Sequence, residues 1–132
     1  MFSVDLSIRE GDGHVVVALR GELDIADAAS VAAALVAVAA PNLEIIVDLA
    51  GLEFIDSSGV AALAHGRKHA RHTQGDLLLA APQDQVLRVL TLTRLIDVFP
   101  VHASVDEAAG SAGRSRPAAA PVAGSPVFLA AT

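Results

Sequence analysis

The 132-residue sequence contains no cysteine, only four aromatic residues, and no apolar run long enough to cross a bilayer. The absence of cysteine excludes disulfides, thiolate catalysis and metal sites with sulfur ligands. A bilayer span needs roughly 18 to 20 consecutive apolar residues, and even the Ala/Val-rich segment from Ala26 to Ala40 is shorter than that. The length allows one modest hydrophobic core but not two, so we expect a single domain.

Acidic residues are concentrated in the first half of the chain. Residues 1–60 carry ten acidic and two basic side chains, a net charge of −8, whereas residues 61–132 carry five acidic and seven basic ones, a net charge of +2. The acidic half would repel phosphate backbones, and four aromatic residues offer few platforms for stacked bases. We therefore expect neither nucleic acid nor a membrane as a direct partner. The N-terminus lacks the basic and then apolar pattern of a signal peptide, which predicts a cytoplasmic protein.

The order of the apolar patterns predicts an α/β domain that begins with a β-hairpin. Its two strands are "FSVDLSI" and the run "HVVVAL", which are joined by the turn residues "EGDG". Further strands are predicted at "LEIIVDL", which a loop would follow, at "GDLLLAA", and at "VFPV" on an edge. Helices are expected over residues 26–40, 57–73 and 83–93, with a helical turn over 105–109. Such alternation predicts a mixed sheet packed with helices, in which crossover helices join the later strands.

The composition changes at Gly110. From there to Thr132, alanine, glycine, proline and serine supply 16 of 23 residues, and the only charged residues are two arginines. Such a composition cannot form a packed core. The sequence therefore predicts one folded domain over residues 1–109 and a flexible tail over residues 110–132.

The most polar cluster of this apolar chain lies in "FIDSSGVAAL", residues 54–63, where a helix is expected to begin. The simplest role for Asp56, Ser57 and Ser58 is to cap that helix, since an N-cap oxygen accepts a hydrogen bond from an unpaired backbone N–H. One cap needs only one oxygen, however, and each of these three side chains offers one. Gly59 is also unusual, because glycine in a first helical turn costs about 0.5 to 1 kcal/mol relative to alanine. We expect that Gly59 lets another backbone approach closely.

Three segments resemble a known family in their order and spacing: "VALRGELD", "IIVDLAGLEFIDSSGVAAL" and "GDLLLAAP". The family is the STAS domain, the sulfate transporter and anti-sigma factor antagonist family, and its bacterial single-domain antagonists are the most similar branch. The resemblance covers about residues 3–109. It implies that Ser57, the serine directly after the aspartate, is phosphorylated by an anti-sigma factor that is itself a serine kinase. It also implies that Asp24 lies beside this serine in the kinase interface, although Asp24 also fits the N-cap of the following helix.

The resemblance implies a partner switch in transcription regulation. The unphosphorylated protein would bind the kinase and free a sigma factor, phosphorylation of Ser57 would end this interaction, and a phosphatase would restore it. The protein would then be a substrate, with no cofactor and no catalytic residue of its own. Asp24, Asp56, Ser57, Ser58 and Gly59 would form the kinase-binding surface. Asp56 would cap the helix or position the Ser57 hydroxyl, Ser58 would support the turn by hydrogen bonding, and Gly59 would leave room for the partner. The alternative is a STAS module that is never phosphorylated and serves as an interaction subunit of a transporter-associated or sensory complex.

Two other sites are disfavoured by the sequence. The second half of the helix expected over residues 57–73 combines three histidines at metal-ligand spacing with three basic residues: His65, His69, His72, Arg67, Lys68 and Arg71. No carboxylate in this segment completes a metal site, so a solvated basic face is the preferred interpretation. A serine hydrolase would need the G-x-S-x-G pattern, which is absent around Ser57 and Ser58. The chain also lacks a P-loop, so the nucleotide of a phosphorylation reaction would belong to the partner.

Overall fold

The computed structural model describes residues 4–115, which form a mixed five-stranded sheet and four helices. The strands are β1 (Val4–Glu10), β2 (His14–Leu23), β3 (Glu44–Ile55), β4 (Asp76–Ala80) and β5 (Val101–His102). The helices are α1 (Ile25–Val38), α2 (Ser57–His72), α3 (Asp84–Leu92) and α4 (Val105–Ser115). The strands lie in the sheet in chain order, with β1 antiparallel to β2 and all other neighbours parallel. The predicted α/β class, the hairpin and the mixed sheet are confirmed.

The two faces of the sheet are covered by different helices. On one face, apolar side chains of β2, β3 and β4 form the main core with residues of α1, α2 and α3. On the other face, Ala108 of α4 packs against Val16, Ile46 and Leu78. Because the central strands are buried on both faces, "HVVVAL" and "DLLLA" are nearly continuous apolar runs.

β3 is longer than the sequence predicts. A loop was expected between "LEIIVDL" and the polar motif, but the strand continues to Ile55 and its last part pairs with the end of β2. The pairing of β2 with β3 contains two register shifts, and at each of them β3 has one extra residue. Such bulges break the alternation of buried and exposed side chains, so that Leu49, Leu52 and Ile55 are buried at a spacing of three. β4 pairs with β3 only as far as Asp48, and the remainder of β3 extends beyond it.

The C-terminal part of the fold also differs from the expected one. In place of a strand at "VFPV", Phe99 is buried in the main core and β5 begins after Pro100, at Val101. The helical turn expected over residues 105–109 is the start of α4, which continues across the expected domain end to Ser115. The rest of the expected tail, residues 116–132, lies outside the described residues, and the division of the chain at residue 110 stays a prediction. No helix within residues 4–115 is long and apolar enough to span a membrane.

Candidate functional site at the N-terminus of α2

β2 and β3 end side by side, and each is followed directly by a helix. Leu23 and Ile55, the last residues of these parallel strands, are paired, and the amide of Asp56 donates a hydrogen bond to the carbonyl of Leu23 at 3.2 Å. Asp24 and Asp56 therefore occupy equivalent positions, as the N-caps of α1 and α2. In open α/β sheets the carboxyl ends of the strands are the usual location of binding sites.

Asp56 caps α2. Its Oδ1 accepts a hydrogen bond from the amide of Gly59 at 3.0 Å, and its carbonyl accepts one from the amide of Val60 at 3.0 Å. The backbone of Asp56 is extended, with φ −114° and ψ −175°, as is usual at an N-cap. The capping role predicted for Asp56 is confirmed, while its second role, positioning the Ser57 hydroxyl, stays a prediction.

The two serines are the first two residues of α2. Ser57 is exposed and Ser58 is partly buried. Within residues 4–115 neither hydroxyl is hydrogen bonded, so the expected bond from Ser58 to the turn is not part of the structure. Their backbone amides are also without an acceptor in this part of the chain, as is typical of the first turn of a helix. In the described part of the chain, the result is an exposed hydroxyl next to two N–H donors that have no acceptor.

Gly59 is buried where α2 crosses the ends of β2 and β3. A Cβ atom at this position would lie 2.6 Å from Cγ1 of Ile55 and 2.8 Å from Cγ of Leu23, both too close for carbon atoms. The expectation that Gly59 leaves room for a partner stays a prediction. The close approach that it permits is between α2 and the strands of the same chain.

Asp24 is the N-cap of α1. Its Oδ1 accepts a hydrogen bond from the amide of Ala26 at 3.0 Å, and its carbonyl accepts one from the amide of Ala28 at 3.0 Å. The structure therefore gives Asp24 the capping role that the sequence left open. A contact between Asp24 and a kinase stays a prediction.

Gln85, in the first turn of α3, is a contributor that the sequence does not reveal. Its Oε1 accepts a hydrogen bond from the amide of Ile55 at 2.9 Å, and its Nε2 donates one to the carbonyl of Ile55 at 3.1 Å. The neighbouring Gln83 donates from Nε2 to the carbonyl of Ala50 at 2.7 Å. These side chains bind the part of β3 that extends beyond β4, as a further strand would. Gln85 thereby holds the residue that directly precedes Asp56 and Ser57.

Two large apolar side chains are exposed at the same end of the sheet. Ile25, the first residue of α1, is 77% exposed, and Phe54, the residue before Ile55, is 38% exposed. Acidic residues adjoin them, since Glu22 is paired with Phe54 in the sheet and Glu53 is exposed. Apolar side chains within a polar surrounding are typical of protein-binding surfaces.

The basic half of α2 carries ion pairs. Nε of Arg67 lies 3.0 Å from Oδ1 of Asp76, at the start of β4, and Nη1 of Arg71 lies 3.6 Å from Oδ2 of the same residue. The sequence predicts a solvated basic face here and does not reveal these ion pairs. His65 and His72 are exposed and His69 is partly buried. Among the described residues, no group of three or more histidine and acidic side chains is arranged to hold a metal ion.

Residues 5–108 match the family model of the STAS domain. The anti-sigma-F factor antagonist of Mycobacterium tuberculosis is 32% identical over 106 residues, which make up 77% of this chain and 82% of the relative. The crystal structure of an anti-sigma factor antagonist from Mycobacterium paratuberculosis matches with a TM-score of 0.74 and 27% identity, covering 84% of this chain and 95% of that one. The Bacillus cell fate determinant SpoIIAA, in its phosphorylated form, matches with a TM-score of 0.55 and 25% identity, covering 88% of this chain and 100% of that one.

Proposed function

Because the chain belongs to the STAS domain family, we propose that it is an anti-sigma factor antagonist that acts in the cytoplasm. Its unphosphorylated form binds an anti-sigma factor serine kinase and releases the sigma factor, and phosphorylation of Ser57 by that kinase ends the interaction. A phosphatase then restores the binding form. The protein is a substrate and a competitor in this cycle and catalyses no step of it. The names of its relatives support the antagonist role.

The observation that carries the proposal is the place of Ser57 at the start of α2. Its hydroxyl is exposed and, within residues 4–115, not hydrogen bonded, so a kinase active site can reach it. Ser58 is partly buried, which favours Ser57 as the acceptor. Asp56 already provides the helix cap, so a modified Ser57 leaves the capping hydrogen bond in place.

The start of a helix is also a favourable place for a phosphate. A phosphoserine carries about −1.5 to −2 charges at neutral pH and adds three acceptor oxygens. The amides of Ser57 and Ser58, which have no acceptor within residues 4–115, and the positive end of the helix dipole favour an anion at this position. We therefore expect the fold to be retained on phosphorylation, in line with the similarity to a relative whose structure was determined in the phosphorylated form.

Phosphorylation would act on the complex through the surroundings of Ser57. The caps Asp24 and Asp56 and the nearby Glu22 make this end of the sheet acidic, so a kinase surface that fits it is expected to be basic around an apolar contact with Ile25. A phosphate on Ser57 is larger than the hydroxyl that fits the kinase surface, and it must lose bound water to enter the same interface. A cost of about 1.4 kcal/mol in the complex is enough for a tenfold loss of affinity.

The proposal is tested by incubating the protein with its candidate kinase and ATP and locating the phosphate by mass spectrometry. We expect phosphate on Ser57 in the wild type and in the matched control Ser58→Ala, and none in Ser57→Ala. Ser57→Asp should bind the kinase at least tenfold more weakly than Ser57→Ala while it unfolds at a similar temperature. A protein without phosphate on Ser57, with binding unaffected by Ser57→Asp, would instead fit an interaction subunit of a transporter-associated or sensory complex.

A further inference from the structure

The strand β1 forms one edge of the sheet and has β2 as its only neighbour among the described strands. Every second residue of an edge strand directs its backbone N–H and C=O groups away from the sheet. The amide of Val4 is one of these groups, since it donates to Oδ2 of Asp27 at 3.2 Å. Because the direction of the backbone N–H and C=O groups alternates along a strand, those of Leu6 and Ile8 also point away from the sheet. Beyond this bond of Val4, the hydrogen bonds within residues 4–115 include none from another element to the outward groups of Leu6 and Ile8.

The side chains of β1 are unusually exposed for a strand of this sheet. Ile8 is 49% exposed although its cross-strand partner, Val17, is fully buried. On the other face of the strand, Asp5, Ser7 and Arg9 are all exposed. Neither Asp5 nor Arg9 takes part in an ion pair within the described part of the chain. The edge therefore combines an apolar side chain with two opposite charges that form no ion pair within the described residues, although Arg20 lies across the hairpin from Asp5.

These charges are symmetric about Ser7. When two copies of β1 run antiparallel around a twofold axis at Ser7, Asp5 of each copy lies opposite Arg9 of the other. The same register places Leu6 opposite Ile8, so the outward backbone groups of these residues face each other for hydrogen bonding. When the twofold axis is instead placed one residue away, at Leu6 or Ile8, Asp5 no longer lies opposite Arg9. The edge is thus complementary to itself in one register, as a twofold interface requires.

We propose that β1 is a homodimer interface in which two copies of this chain pair antiparallel, centred on Ser7, and join their sheets into one. The ladder is short, because Asp27 occupies the amide of Val4 at one end. The interface is therefore at the small end of specific interfaces, and the dimer depends on protein concentration. β3, which leads to Ser57, is separated from the interface by β2, so both copies keep this site open.

The test is sedimentation analysis of the 132-residue chain over a wide range of protein concentrations. The wild type should shift from the monomer mass of 13.4 kDa towards twice that mass as the concentration rises. Asp5→Arg and Arg9→Asp each place like charges opposite one another at both ends of the ladder. We expect each to weaken dimerisation about two- to thirty-fold, because two cross-strand ion pairs are lost.

The double variant Asp5→Arg/Arg9→Asp restores the opposite charges in exchanged positions and should recover dimerisation. Asp12→Arg is the matched control, since it makes the same charge change at an exposed residue of the hairpin turn, outside the ladder. Amide hydrogen exchange at Leu6 and Ile8 should become slower with concentration. A chain that stays monomeric at every concentration, or a dimer that tolerates both single changes or is not recovered by the double variant, would overturn the proposal.

Discussion

Replacing Gln85 by alanine tests whether the start of α3 sets the geometry of the Ser57 site. The wild-type side chain forms two hydrogen bonds to the backbone of Ile55, at 2.9 and 3.1 Å. Alanine removes both bonds and adds no atoms that could clash. Ile55 is fully buried, and the next two residues are Asp56 and Ser57. The change therefore loosens the backbone immediately before the proposed phosphorylation site while it leaves the cap and the serine intact.

The expected loss of stability follows from the number and environment of these bonds. A protein hydrogen bond contributes about 0.5 to 1.5 kcal/mol to the free energy of unfolding, so two contribute about 1 to 3 kcal/mol. Both bonds are partly buried, and water replaces part of the loss. We expect the free energy of unfolding to fall by about 1 to 2 kcal/mol. In a domain of this size that lowers Tm by roughly 4 to 8 °C.

The assay combines thermal unfolding with the kinetics of Ser57 phosphorylation, measured at a temperature at which the variant is fully folded. If Gln85 is a positioning residue, kcat falls in the folded variant because Ser57 is held less firmly in the reactive arrangement. Gln83→Ala is the matched control: it removes one hydrogen bond, to the carbonyl of Ala50, farther from the serine. We expect this control to lose less stability and to keep the wild-type kcat.

Two results would refute the reasoning about Gln85. Wild-type unfolding temperature in Gln85→Ala would mean that the two hydrogen bonds do not hold the end of β3 in solution. A lower Tm with unchanged kinetics would limit Gln85 to a structural role and separate the stability of β3 from the reactivity of Ser57.

Two further changes test the packing and the cap of α2. Gly59→Ala should lower the free energy of unfolding by about 1 to 3 kcal/mol, because the new methyl group meets Leu23 and Ile55. The control Gly110→Ala, at an exposed position of α4, should be neutral or stabilising by up to about 1 kcal/mol, and calorimetry that finds both changes tolerated would contradict the close packing of α2. Asp56→Ala should cost about 0.5 to 2 kcal/mol through the lost cap, whereas Asp56→Asn should retain it. Equal phosphorylation rates in Asp56→Asn and the wild type would show that the charge of Asp56 has no role beyond capping.

Much of the fold is predictable from the sequence because it depends on the local periodicity of apolar residues. The strands β2 and β4 are recognisable as continuous apolar runs, since a helix covers each face of the sheet. The second half of β3 is not recognisable, because its pairing with β2 contains two register shifts. Its buried residues Leu49, Leu52 and Ile55 are spaced by three, a period that matches neither a regular strand nor the loop that was expected.

The candidate site divides in the same way between local and distant causes. Asp56 as a cap, and Ser57 as an exposed residue at the start of a helix, involve residues within one helical turn, and these features are predictable. The role of Gly59 depends on Leu23, which lies on another strand, and that of Gln85 depends on a residue 30 positions earlier in the chain. A glycine in the first helical turn indicates a close approach, but the partners of Gly59 and Gln85 are set by tertiary packing and cannot be identified from a single sequence.

At the N-terminus of α2, the groups that hold the helix to the sheet are different from the group that is exposed to a partner. The cap of Asp56, the packing of Gly59 and the bonds of Gln85 all hold the terminus to its own sheet. Ser57 is directed outward, at the same end of the sheet as the exposed Ile25. Because no group within residues 4–115 is hydrogen bonded to the Ser57 hydroxyl, a phosphate there would change the surface that a partner meets without removing a described contact that maintains the domain. This separation is what the proposed switch between binding and release requires.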